Sequence, residues 1–160
     1  MIPCRARFAL HSSDRFAQSL GLPRAPLDDL LVFNIVFGRT VADVSLNAVA
    51  NLGYADCRFL SPVYPGDTLA TTSEVIGVKQ NSNGKTGTVY VRSTGRNQDG
   101  EAVLDYIRWV MVNKRDPASP APEPRVPELP ARVAVDEITV PRGLDAAGYD
   151  TGLAGSAHLW

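Results

Sequence analysis

Apolar residues crowd one stretch of this chain almost without a break. Between Asp28 and Ser45 stand Leu30, Leu31, Val32, Phe33, Ile35, Val36, Phe37, Val41, Ala42 and Val44, leaving hardly any polar face. A surface helix carries a single apolar stripe, so a helix apolar all round is expected to be buried on every side. Asp28 or Asp29 suits its N-cap, and Gly38 within it costs about 1 kcal/mol relative to alanine. Downstream the period changes from helical to alternating. Strands are predicted over Ala50–Phe59, Thr68–Lys79, Thr86–Arg96 and Ala102–Lys114. Asn83-Gly84 and Asp99-Gly100 are hairpin turns between the last three. Pro62, Pro65 and Gly66 bend the chain between the first two.

A single long helix with an antiparallel sheet to wrap it is the hotdog architecture, an α+β fold. Upstream, Ser12 or Ser13 caps a short helix that Gly21 ends near Leu20, and Pro23 and Pro26 keep the chain extended up to Asp28. Met1–Phe8 is too short for the strand expected before this segment, so the hotdog is expected to lack its first strand. Composition changes at Asp116: six of the 12 prolines lie between Pro117 and Pro130, which rules out a helix interior or a central strand. The expected organisation is a hotdog domain over 1–115, a semi-rigid proline-rich linker over 116–130, and an extension over 131–160 leading to a possible second hotdog.

Charge narrows the partners. A net charge of −1 argues against capture of nucleic acid or of an anionic membrane. The apolar helix is too short and too interrupted to span a bilayer, and Arg5 and Arg7 break any signal sequence, so a cytoplasmic location is expected. Two cysteines, Cys4 and Cys57, form no disulfide framework, and Cys57 is expected to be a small core residue. Two histidines and two dispersed cysteines make no zinc site, so no metal is expected.

Four stretches carry a family resemblance. His11-Ser12-Ser13-Asp14-Arg15-Phe16-Ala17, the approach Gly21–Pro26, the bend Arg58–Leu69, and Gly87-Thr88-Val89 with Arg96–Glu101 together resemble the MaoC-like hydratases and dehydratases. Within them the likeness is to the N-terminal half of mesaconyl-CoA hydratases (β-methylmalyl-CoA dehydratases), which are double-hotdog proteins. The resemblance implies addition or removal of water on a short branched enoyl-CoA, with a CoA thioester as substrate and no further cofactor. It places the family's catalytic histidine on His11. The paired Asp-x-Asn-Pro of that motif falls on Ala6, Phe8 and Ala9, so the acid/base pair is incomplete. The family's His-Gly, whose amide polarises the thioester carbonyl, falls on Asp29-Leu30.

Such a reaction needs a base for water and donors aimed at the enolate oxygen. His11 is the candidate base, although a capping or surface histidine is the plainer reading without a carboxylate beside it. Candidate substrate contacts are Asp28, Asp29, Leu30 and Leu31 at the helix start, Asn51, Leu52, Gly53 and Tyr54 on the first strand, and Pro62, Val63 and Tyr64 at the bend. Lys79, Lys85 and Arg92 are candidate partners for CoA phosphates. The leading expectation is the half of a hydratase that shapes the acyl pocket. The alternative is a non-catalytic acyl-CoA-binding or assembly subunit. Either is expected to associate as a homodimer or with a second hotdog half.

Overall fold

A computed structural model describes residues 8–129; the expectations for Met1–Arg7, Cys4 and the extension 131–160 lie outside these residues. After a 3₁₀ turn at Ala9–His11 come α1 (Asp14–Ser19) and α2 (Asp29–Thr40), the latter continuing into a π-helical turn at Val41–Ser45. Four strands follow, β1 (Ala48–Phe59), β2 (Ala70–Gln80), β3 (Thr86–Arg96) and β4 (Ala102–Asn113), all antiparallel in the order β1-β4-β3-β2. This is the expected hotdog sheet. The caps are also those expected: Ser13 Oγ accepts from Phe16 N–H at 3.2 Å, and Asp28 Oδ1 accepts from Leu30 N–H at 2.9 Å. Gly21 ends the first helix at φ +86°.

The two hairpins are built by asparagine side chains. Asn83 Oδ1 accepts from Lys85 and Thr86 N–H, and Asn97 Oδ1 accepts from Asp99 and Glu101 N–H. Each asparagine thus copies a backbone turn, while Gly84 and Gly100 take the positive φ that the turn requires. β4 lies inside the sheet and carries half of the buried apolar core: Val103, Leu104, Tyr106, Ile107 and Val110. Val32 and Val36 of α2 meet Leu104 and Tyr106 in one cluster with Val63.

Two expectations need correction. α2 is covered on one side only: Val32, Val36 and Thr40 are buried, but Leu30 is 71% and Leu31 48% exposed. Four strands can cover one face of a cylinder about 10 Å across, and no described residue buries the opposite face. Cys57 is exposed on the edge strand β1 rather than in the core, because β1 presents its outer side to solvent there.

The proline-rich segment meets the sheet at its other edge. Arg125 exchanges both backbone hydrogen bonds with Val78 of β2, each 2.8 Å. A Cβ on Gly77 would lie 2.5 Å from the Arg125 carbonyl oxygen, so glycine is what admits the crossing chain. Among the described residues no helix is long and apolar enough to cross a membrane.

Candidate functional site

His11 is half-buried, and its Nδ1 lies 3.1 Å from the Pro26 carbonyl oxygen. A carbonyl can only accept, so Nδ1 carries a proton, which leaves Nε2 as the ring nitrogen not engaged in this bond. No carboxylate supports it among the described residues. Asp14 Oδ1 accepts from Ala25 N–H at 2.8 Å and Asp28 caps α2, so these two acids serve the backbone.

The start of α2 and the bend come together as expected. Leu27 N–H donates to the Val63 carbonyl at 2.7 Å, and Val63 is buried between them. Asp67 fixes the turn by accepting from Tyr64 N–H at 2.8 Å, while Arg24 lies over the Tyr64 ring at 5.4 Å. Pro62 is exposed beside them. The Leu30 amide, which would take the family's carbonyl-polarising role, is already bound by the Asp28 carboxylate. That carboxylate, with Asp29 beside it, also offsets the positive end of the helix dipole.

The β1 candidates face a different part of α2. Asn51 and Leu52 are exposed, and Gly53 lies under the Trp109 indole, where a Cβ would come within 2.5 Å of the ring. Tyr54 reaches the helix: its ring centroid is 5.7 Å from Phe33, 6.3 Å from Phe37 and 6.2 Å from Tyr106. Leu30 and Phe37 are seven residues apart, about 10 Å along the axis, so one short acyl group cannot touch both ends of this face.

Beneath this aromatic cluster lies a residue that sequence reasoning passed over. Arg108 of β4 is fully buried, and no carboxylate pairs with it among the described residues. Its Nη2 donates to Thr40 Oγ1 at 2.9 Å, and the guanidinium lies over Phe37 at 4.7 Å from the ring centre. Among the described residues Nε and Nη1 have no partner, nor does the buried hydroxyl of Tyr106. Burial pulls Arg108 below its ordinary pKa, opposed by Tyr106 and Tyr54, and pushes the Tyr54 phenol up. The available signal was a lone cation inside the apolar run Tyr106–Met111 of a central strand.

Other candidates separate from this site. Arg92 is committed to Asp56 at 3.3 Å and Asp105 at 3.2 Å, which removes it as a free phosphate ligand. Lys79 and Lys85 flank the β2–β3 hairpin and are exposed. The Cys57 thiol is raised, by desolvation first and then by Asp105 and Asp56, so it is no thiolate nucleophile. No cluster of metal ligands occurs among the described residues.

Comparisons with known proteins agree with this architecture. The model of the family described as "MaoC like domain" matches residues 7–97. The chain is 65% identical over 155 residues to a β-methylmalyl-CoA dehydratase of Chloroflexus aurantiacus, covering 97% of this chain and 44% of that protein. It is 61% identical over 155 residues to a mesaconyl-CoA hydratase of Cereibacter sphaeroides, covering 97% and 45%. The chain therefore spans less than half the length of these curated relatives. A crystal structure of a MaoC domain protein from Chloroflexus aurantiacus superposes with a TM-score of 0.77 at 65% identity, over 97% of this chain and 44% of that one. A Mycobacterium tuberculosis protein described as a double hotdog fold superposes at 0.65 with 29% identity, over 72% and 37%.

Proposed function

Because the chain belongs to the MaoC-like domain family, we propose that it supplies the acyl pocket of a hydratase acting on a short branched enoyl-CoA of the mesaconyl-CoA or β-methylmalyl-CoA kind. The observation that carries the reading is the aromatic face of Phe33, Phe37, Tyr54 and Tyr106 beside β1, whose outer edge pairs with no strand among the described residues, set against a His11 with no carboxylate beside it among those residues. Such a face receives a small branched acyl group, while the lack of a carboxylate at His11 assigns proton transfer to residues beyond the described ones. The CoA thioester is the substrate and no further cofactor is invoked.

Hydration of mesaconyl-CoA and crotonyl-CoA by the full-length protein, followed spectrophotometrically, tests the reading. His11→Ala should lower kcat by less than about 10-fold, since a group acting as the general base is worth about 100-fold or more. A larger loss would make His11 the base and return the chemistry to this half. Saturable binding of both thioesters without any turnover would favour the non-catalytic acyl-CoA-binding subunit instead.

The second part of the proposal is a partner hotdog, either a second copy or a second half of a longer protein. Val49, Leu52 and Leu60 on and beside β1 are exposed together with Leu30 and Leu31 of α2. An unpaired strand edge next to an apolar patch drives association. The 160-residue chain alone should therefore associate at micromolar concentration in light scattering, and Leu52→Lys should shift it toward monomer. A monodisperse monomer before any substitution would remove this part.

A further inference from the structure

We propose that Arg108 and Tyr106 form a buried seat for the free carboxylate of the acyl group, making them the residues that select a dicarboxylic monothioester over a simple enoyl-CoA. The inference rests on the hydratase reading above and sharpens its substrate class. A guanidinium wholly removed from water costs several kcal/mol unless it is paired, and a half-satisfied one is worse than an apolar side chain. Arg108 is in that state: Thr40 takes one nitrogen, and Nε and Nη1 carry donors with no acceptor among the described residues. Thr40 cannot supply the missing charge, because both acceptors it offers Nη2, the hydroxyl at 2.9 Å and the backbone carbonyl at 3.4 Å, are neutral. The Tyr106 hydroxyl, also orphaned, comes from the same strand two residues away and so from the same face of the sheet. Two kinds of unmet donor together suit a carboxylate, which accepts from several sides at once.

Tyr54 controls access. It is 37% exposed and packs on Phe33, Phe37 and Tyr106, so rotation of its ring would open the cluster toward the β1 edge. The dimensions then orient the substrate. In a four-carbon chain bearing a carboxylate at one end and a thioester at the other, the terminal carbons stand roughly 4 Å apart. With the carboxylate on Arg108, the thioester stays near Tyr54 and the open edge of β1. The start of α2, about 10 Å away, is out of its reach. The reacting carbons are thereby left where a partner hotdog would meet this one, in keeping with a His11 that has no carboxylate.

The test compares mesaconyl-CoA with crotonyl-CoA, which lacks the second carboxylate, in the full-length protein. Calorimetric binding and kcat/KM are both measured. Arg108→Met should lower the preference for mesaconyl-CoA about 100-fold, and Tyr106→Phe about 10-fold, as expected for charged and neutral hydrogen bonds respectively. Should Arg108→Met fold poorly, Tyr106→Phe decides alone, since losing an unpartnered buried hydroxyl does not threaten the fold. An unchanged preference in Tyr106→Phe overturns the shared seat, and in both variants it means that buried water satisfies these donors. Absence of turnover in the unsubstituted protein defeats the hydratase reading alone, because the binding preference still reports on the seat.

Discussion

Gly95→Val should destabilise the fold by about 3 kcal/mol, the upper range for overpacking a core. Gly95 of β3 lies directly against α2, where an added Cβ would sit 2.7 Å from Val36 Cγ2 and 3.0 Å from Cγ1. Val36 is fully buried and too short to swing aside, so the helix must lift from the sheet. The lift would also disturb Phe33, about one turn before Val36, and Phe37, the residue after it. A double-mutant cycle gives the cleaner measurement. Gly95→Ala and Val36→Ala should each cost roughly 1–2 kcal/mol, the first by crowding and the second by leaving a cavity. Together they should cost less than their sum by about 1 kcal/mol, since the cavity accepts the new methyl. Strict additivity in urea denaturation would mean that the helix does not rest on Gly95.

Gly66→Val should lower the melting temperature more than His11→Ala, while Pro62→Ser should lower it least. Gly66 stands at φ +99°, a conformation that a β-branched residue takes only with strain of about 2 kcal/mol. No atom lies within 4 Å of its added Cβ, so the cost is backbone strain rather than a clash. The turn it permits is the one in which Asp67 holds Tyr64 and Val63 holds Leu27, which ties the bend to the start of α2. His11→Ala removes one hydrogen bond to Pro26, worth about 1 kcal/mol. Pro62 is exposed, and its replacement mainly restores freedom to the unfolded chain, below about 1 kcal/mol. Thermal melts that rank His11→Ala worst would make the histidine a structural residue and leave the turn secondary.

The sequence by itself determined the elements, because the signals for them are local. Alternation marked the strands, Asn83-Gly84 and Asp99-Gly100 marked the hairpins, and Asp28 marked the start of α2; the boundaries differ by no more than a few residues. The family and the hotdog fold were legible too, since their motifs lie in short contiguous runs. Only the tertiary structure decided which side of α2 is covered, because an apolar count cannot say how far four strands reach around a helix. It also decided that the Leu30 amide is occupied by Asp28 and that Tyr54 stands over Phe33 and Phe37. Arg108 is the sharpest case. In sequence it is one cation in a strand, ordinary at any exposed position. Its meaning depends on Thr40, 68 residues away, on Phe37, and on the acceptors that no neighbour supplies. Burial and unmet hydrogen bonds belong to the assembled core, so they cannot be read from a chain that has not yet been folded.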